Sequence, residues 1–181
     1  ETKVRIDDLL NDKVDSRYID KLLNGSENQK LFALEMIRRS DSFFLKFEPQ
    51  ILFLVASSNK NISEKALSVI TPQYLSNSES QLRFVELMDH SLPETKYEII
   101  YKLQLIDNIS NDAIILLIDK YITGKISAGG LNQIFKIISK QMGTNKNILN
   151  NNEMESRLVQ LSKHSDPYTA NLTKNFLKSI R

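Results

Sequence analysis

The sequence predicts an all-α protein, and more specifically a right-handed α-solenoid of about five antiparallel helical hairpins. A small apolar pattern returns along the chain, with starts 33, 33, 35 and 38 residues apart. Such a period corresponds to one helical hairpin per repeat. Only five glycines and four prolines occur, which argues against an all-β chain. The copies of the pattern are Ala33-Leu34-x-x-Ile37, Ala66-Leu67-x-x-Ile70, Ile99-Ile100-x-x-Leu103, Ile134-Phe135-x-x-Ile138 and Leu172-x-x-x-Phe176.

The helix limits follow from apolar stripes at i, i+3, i+4 spacing and from the breakers between them. Residues 1–15 are predicted to be a polar lead-in with a short helix at Ile6 to Leu10, and residues 16–181 to be one repeat domain. The longest loop is predicted at Asn145 to Asn152. The ten helices are predicted in pairs over residues 16–39, 43–75, 78–106, 110–141 and 153–180.

Helix starts are indicated by side chains that can accept hydrogen bonds from the first turn. The pairs Asp166-Pro167 and Glu48-Pro49 each predict a helix with proline in its first turn. Pro72 is predicted to end or kink the fourth helix. Sequences of the capping-box form begin at Ser26, Asn61, Ser78 and Ser91.

The composition sets limits on the class of protein. The hydrophobic share of 41% and charged share of 25% are those of an ordinary globular chain. Because cysteine is absent, disulfides, thiolate metal sites and cysteine catalysis are excluded, and the chain suits cytosol and periplasm alike. No apolar run approaches the roughly 18 residues of a membrane span, so none is expected.

The repeats resemble those of the HEAT-like superfamily, with armadillo repeats as the near alternative, over about residues 16–181. The second helix of such a repeat carries a small residue, then leucine, then an aliphatic residue one turn later. Ala33-Leu34-x-x-Ile37 and Ala66-Leu67-x-x-Ile70 match this pattern, and Ser165 to Ala170 looks like the start of another second helix. Ile99 and Ile134 replace the small residue, which predicts looser or more angled helix packing there.

The resemblance implies that second helices line a concave surface and that the protein is a scaffold or protein-binding module. A few members of the superfamily bind nucleic acid, and fewer are enzymes. Fold analogy alone does not choose among these functions.

Charge is distributed unevenly along the chain. Residues 1–119 carry 14 basic and 19 acidic side chains, whereas residues 120–181 carry 10 basic and 3 acidic ones. A basic half of this kind would attract an acidic peptide or phosphates. Eight of its ten basic residues are lysines, which weakens the case for bidentate readout of bases or phosphates.

The basic residues of the predicted second helices form candidate binding stripes. Lys136 and Lys140 lie one turn apart, and Lys174, Lys178 and Arg181 lie at i, i+4 and i+7. If second helices line the concave side, these five residues are expected to form one cationic groove. The alternative is a solvated helix face with lysines favoured near helix C-termini.

Two tyrosines and two arginines are further candidates. Tyr97 and Tyr101 lie one turn apart and could anchor a protein partner, or they could be partly buried against a neighbouring repeat. Arg38 and Arg39 end a predicted second helix, where they could clamp a carboxylate or simply favour the helix C-terminus.

No catalytic, metal or cofactor site is predicted. His90 and His164 lie 74 residues apart in predicted turns, and no carboxylate cluster has ligand spacing. Gly129-Gly130 lies outside any phosphate-binding motif and is interpreted as close helix packing or a flexible elbow.

The sequence therefore predicts a non-enzymatic scaffold that binds a protein or peptide on its concave face, with an acidic partner as one candidate. One alternative is a nucleic-acid-binding module that uses the lysine-rich half. Another is a structural segment excised from a longer solenoid. The last helix ends in Phe176-Leu177-x-x-Ile180, which is expected to leave an apolar face for self-association or continuation.

Overall fold

The computed structural model describes residues 15–144 and 151–180, apart from the side chain at residue 144. Every regular element in that part of the chain is helical, with ten α-helices, two short 3-10 helices and no strand, so the all-α prediction is confirmed there. The 3-10 helices span Pro72–Leu75 and Leu87–Asp89. The α-helices are α1 (Ser16–Leu23), α2 (Glu27–Ile37), α3 (Asp41–Val55), α4 (Lys60–Val69), α5 (Ser78–Glu86), α6 (Pro93–Leu105), α7 (Asn111–Ile122), α8 (Ala128–Thr144), α9 (Asn152–Ser162) and α10 (Pro167–Ser179).

Two predicted segments fall largely outside the described residues. These are the lead-in at residues 1–15, with its short helix at Ile6 to Leu10, and the loop at residues 145–152. The structure describes Asp15 as the N-cap of α1 and Asn151 as the N-cap of α9.

Several helix starts lie where the capping residues predict them. The Ser26 N–H donates to Gln29 Oε1 at 2.8 Å, which is half of the predicted capping box. Asp166 caps α10 and accepts from the Thr169 N–H at 2.9 Å, with Pro167 as the first helical residue. The capping residue of α4 is Asn59, two residues before the predicted Asn61. The capping residue of α5 is Asn77, one residue before the predicted Ser78.

The prediction that a helix starts at Pro49 is wrong. α3 begins at Asp41 and runs through Pro49 to Val55. Three buried aromatic residues, Phe43, Phe44 and Phe47, hold its N-terminal half to the core. Pro49 has no N–H to donate to the Leu45 carbonyl, four residues earlier. Because Pro49 and Leu45 are both exposed, water can donate to this carbonyl instead.

A first compact unit contains the described chain up to Thr71, together with His90–Thr95. Within it, α1 and α4 each pack against both α2 and α3. Ala33 and Ala66 are completely buried, as expected of small residues at close helix contacts. The buried Ser63 hydroxyl donates to the Val55 carbonyl at 2.7 Å and accepts from the Thr95 hydroxyl at 2.8 Å.

A second compact unit contains Pro72–Asp89 and the described chain from Lys96 onward. In this unit α7 packs against α5, α8 and α9, while α10 packs against α8 and α9. Helices therefore contact both the next helix and the helix after that, a pattern typical of stacked helical hairpins. The most deeply buried apolar residues of this core include Ile99, Ile100, Leu103, Ala113, Ile114, Leu117, Ile118, Leu131, Ile134 and Ile138.

Many polar contacts in both units join residues about one sequence repeat apart. Asn61 donates to Glu27, 34 residues away, and Arg157 donates to Asp119, 38 residues away. Gln81 donates to the carbonyl of Asn108, 27 residues away. The apolar period in the sequence is thus accompanied by hydrogen bonds between residues separated by about the same number of positions.

Two buried glutamines hold the loop between α6 and α7. Gln81 on α5 donates to the Leu75 and Asn108 carbonyls, each at 2.9 Å, and accepts from the Ser110 N–H at 2.8 Å. Gln141 on α8 donates to the Asp107 carbonyl at 2.9 Å and accepts from the Ile109 N–H at 3.2 Å. Their side chains satisfy backbone groups that would otherwise be buried without partners.

We expect Gln81→Leu to lower the free energy of unfolding by about 2–4 kcal/mol, because it leaves two carbonyls and one N–H without their partner. Urea denaturation of the full chain measures this loss. Gln160→Leu, at an exposed position of α9, is the matched control and should change stability by less than about 0.5 kcal/mol. Equal stability of the two variants would contradict the role assigned to Gln81.

Candidate functional site

An exposed apolar ridge runs along α6. Tyr97, Tyr101 and Leu105 lie at i, i+4 and i+8, and their exposed fractions are 43%, 55% and 49%. This spacing places the three side chains along one side of the helix. The α6 ridge, as we call these three residues, contains both predicted tyrosine anchors and adds Leu105, which the sequence analysis missed.

Contacts at both ends of α6 align it with α8. Near their N-termini, the Tyr97 hydroxyl bonds to the Ser127 hydroxyl, and Lys96 Nζ donates to the Lys125 carbonyl at 3.0 Å. At the other end, Lys140 Nζ donates to the carbonyl of Gln104 at 3.1 Å. The two helices therefore lie side by side and run in the same direction, so Tyr101 lies opposite the middle of α8.

Close packing at the start of α8 supports this alignment. A Cβ added to Gly130 would lie 3.3 Å from Ile100 Cδ1 and only 2.1 Å from Ile126 Cγ2. The close-packing interpretation of Gly129-Gly130 is thus confirmed for Gly130, because a larger residue would force its neighbours apart.

Lys140 has a structural role. Its Nζ donates to the carbonyls of Gln104 and Ile106 and lies 3.2 Å from Asp107 Oδ1. A cation at this position satisfies the free carbonyls at the C-terminal end of α6. The positive charge of Lys140 is therefore used within the chain.

Lys136, one turn earlier, is exposed and lies at the edge of an open groove of about 410 Å³ between α8 and α10. At the base of the groove the rings of Phe135 and Phe176 stack with centroids 4.3 Å apart and planes 3° from parallel. We call this the α8–α10 groove. Its lining residues are Asn132, Phe135, Lys136, Ser139, Leu172, Asn175, Phe176 and Ser179.

The remaining predicted basic residues lie elsewhere on α10. Lys174 and Lys178 are exposed but are absent from the groove lining. Lys174 and Lys178 are one turn apart and both lie more than about 100° around α10 from Leu172, on the side of the helix away from the groove. Arg181 lies outside the described residues. The five predicted cations are therefore not gathered into one groove among the described residues.

The end of α10 is less open than the sequence suggests. Phe176, one of three apolar residues expected to form a free end face, is buried against Phe135. Leu177 and Ile180 are half-buried. Tyr168, exposed and one turn before Leu172, continues the apolar line of the groove and was missed.

Arg38 and Arg39 do clamp a carboxylate, and it belongs to the same chain. Arg38 Nη2 lies 2.8 Å and Arg39 Nη2 3.0 Å from Glu35 Oε1, while Lys65 bonds to Glu35 Oε2. The hydrogen bonds from Arg38 and then Lys65 lower the pKa of Glu35 from 4.5 to about 2, against the opposing effect of burial. This cluster fastens α2 to α4 in the first unit.

His164 takes part in a local contact with the backbone. His164 Nδ1 accepts from the Asp166 N–H at 3.1 Å in the turn before α10. In residues 15–144 and 151–180, no group of three histidine, cysteine or carboxylate side chains is placed to hold a metal ion.

Comparisons with known proteins add no family assignment, since no family model, curated protein or solved structure matches the chain. In the described part of the chain, no helix combines the length and the apolar character needed to cross a membrane.

Lys140 and Lys136 should respond differently to the same substitution. We expect Lys140→Met to destabilise the protein by about 1 kcal/mol, because the C-terminal carbonyls of α6 lose their cation. Lys136→Met should leave the unfolding midpoint unchanged. Denaturation curves of both variants measure the difference, and a larger loss for Lys136→Met would contradict the assignment.

The low pKa of Glu35 predicts a pH-dependent contribution to stability. Because the folded pKa of about 2 lies below the ordinary 4.5, this contribution is present above pH 4.5 and is lost as pH falls toward 2. Glu35→Gln should cost about 1–2 kcal/mol at neutral pH, with a difference from wild type that shrinks in acid. Denaturation across this pH range measures it.

The control for this experiment is Glu64→Gln. Glu64 is exposed and forms one i, i+4 ion pair, 3.7 Å from Lys60. Its substitution should change stability little at any pH. If Glu35→Gln lost the same stability at pH 2 as at pH 7, the cluster would not act through the carboxylate charge.

Proposed function

We propose that this chain is a HEAT-like helical-repeat module, a right-handed α-solenoid of about five hairpins, that binds a protein or peptide without catalysing a reaction. The repeating sequence pattern supports the architecture. So do the packing of α5 on α7, α7 on α9 and α8 on α10, and the hydrogen bonds between residues one repeat apart. In such a stack, second helices share one face.

One observation carries the binding proposal. The second helices α6 and α8 lie side by side and present the α6 ridge, Lys136 and the α8–α10 groove on their exposed sides. Aromatic side chains anchored on a rigid helix lose little entropy on binding and often dominate binding energy. A partner lying across these helices would contact Tyr101 and the groove together.

The nucleic-acid alternative has less support. It rests on the excess of basic residues over acidic ones in residues 120–181. Lys140 is bonded to carbonyls and Asp107, and Lys120 is paired with Asp89. Affinity for nucleic acid depends on several lysines or arginines contacting phosphates at once.

The test is a selection of displayed random peptides against the full chain, followed by anisotropy measurements with the selected peptides. We expect Tyr101→Ser to weaken their binding by about tenfold, which corresponds to the loss of one interface anchor. Tyr18→Ser, at an exposed tyrosine of α1 in the first unit, is the matched control and should have little effect.

Two outcomes would contradict the proposal. One is a selection that yields no binding peptide. The other is equal weakening by Tyr101→Ser and Tyr18→Ser. Binding of a labelled single-stranded oligonucleotide that falls steeply with salt, without any peptide binding, would establish the nucleic-acid alternative instead.

A further inference from the structure

The α8–α10 groove has an apolar base and a polar edge. Phe135, Phe176 and Leu172 form an apolar base that one aromatic or aliphatic side chain could cover. Asn132, Ser139 and Asn175 lie around that base. Small clefts with an apolar base and a few polar groups at the edge are the usual form of ligand sites in proteins.

The charge at the edge of the groove is positive. Lys136 makes no ion pair or hydrogen bond with any described residue, and none of the described lining residues is acidic. Lys178 lies outside the groove lining, on the same face of α10 as Lys174. The cation of the groove is therefore Lys136, which would attract an anionic group of a ligand beside the apolar base.

Only three acidic residues occur in residues 120–181, namely Glu153, Glu155 and Asp166. Asp166 accepts hydrogen bonds from the N–H and the hydroxyl of Thr169 at the start of α10. Glu153 on α9 pairs with Arg157 at 3.2 Å. None of the three forms an ion pair with Lys136, so its positive charge is available to a partner.

We propose that the groove recognises an acidic peptide segment. An aromatic or aliphatic side chain of the peptide lies on the Phe135–Phe176 stack, and a carboxylate beside it reaches Lys136. One cation beside an apolar base of about one side chain fits a mixed acidic and apolar segment better than a row of phosphates. This inference rests on the proposed function and names the chemistry of its ligand.

The experiment uses the full chain and a fluorescein-labelled peptide with one central phenylalanine flanked on both sides by aspartate and glutamate. Two altered peptides accompany it, one with serine for phenylalanine and one with asparagine and glutamine for the acids. We expect the parent peptide to bind, and each altered peptide to bind about tenfold more weakly or not at all.

Three protein variants locate the binding. Lys136→Glu should weaken the parent peptide by about tenfold, and Ser139→Trp, at an exposed lining position, should block the groove. Lys174→Glu makes the same charge change on the far side of α10 and should weaken binding by less than about twofold.

The outcomes separate this inference from the proposed function. If peptides from the random selection bind while the acidic peptide does not, or if Lys136→Glu and Lys174→Glu weaken it equally, the groove assignment is wrong and the binding function stands. If no peptide of any composition binds, both are wrong. Tighter binding of an oligonucleotide than of the acidic peptide, abolished by Lys136→Glu, would also overturn the peptide assignment.

Discussion

The loop between α6 and α7 is held by side-chain hydrogen bonds from an earlier and a later helix of the chain. These hydrogen bonds set how the helices of the second unit are aligned along their axes. Gln81 reaches it from α5, and Gln141 reaches it from α8. Both amides are almost completely buried, with 1% and 3% exposure, so water cannot replace their hydrogen bonds. A shift of either helix along its axis would leave several backbone groups unpaired.

This register determines what the surface of the unit presents. Gln141 fixes one end of α8, and the Tyr97–Ser127 contact fixes the other. In this position Lys140 bonds to the C-terminal end of α6, whereas Lys136 lies on the exposed side of α8. Phe135 then stacks on Phe176 of α10. The α8–α10 groove is thus a consequence of helix alignment, and binding would require little rearrangement of the backbone.

The sequence predicts the helices well because period and capping are local properties. Ser26 and Asp166 act as the sequence indicates. The predicted helix start at Pro49 is wrong because the burial of three phenylalanines stabilises the helix by more than the one missing hydrogen bond costs. Gln81 has capping-box spacing, yet burial makes it bond to a distant loop instead.

The sequence does not distinguish Lys136 from Lys140, because only the alignment of α8 with α6 decides which of them bonds to carbonyls. The ring stack in the groove joins residues 41 positions apart, which no local pattern predicts.

The most direct test of this account is native-state amide hydrogen exchange at Ile109 and Ser110. Their N–H groups donate to the side-chain oxygens of Gln141 and Gln81, although both residues lie outside any helix. The account predicts that these loop amides exchange about as slowly as those inside α7, through the same global opening. Exchange at the rate of an exposed loop would show that the glutamines do not hold this segment, and the register of the second unit would need another explanation.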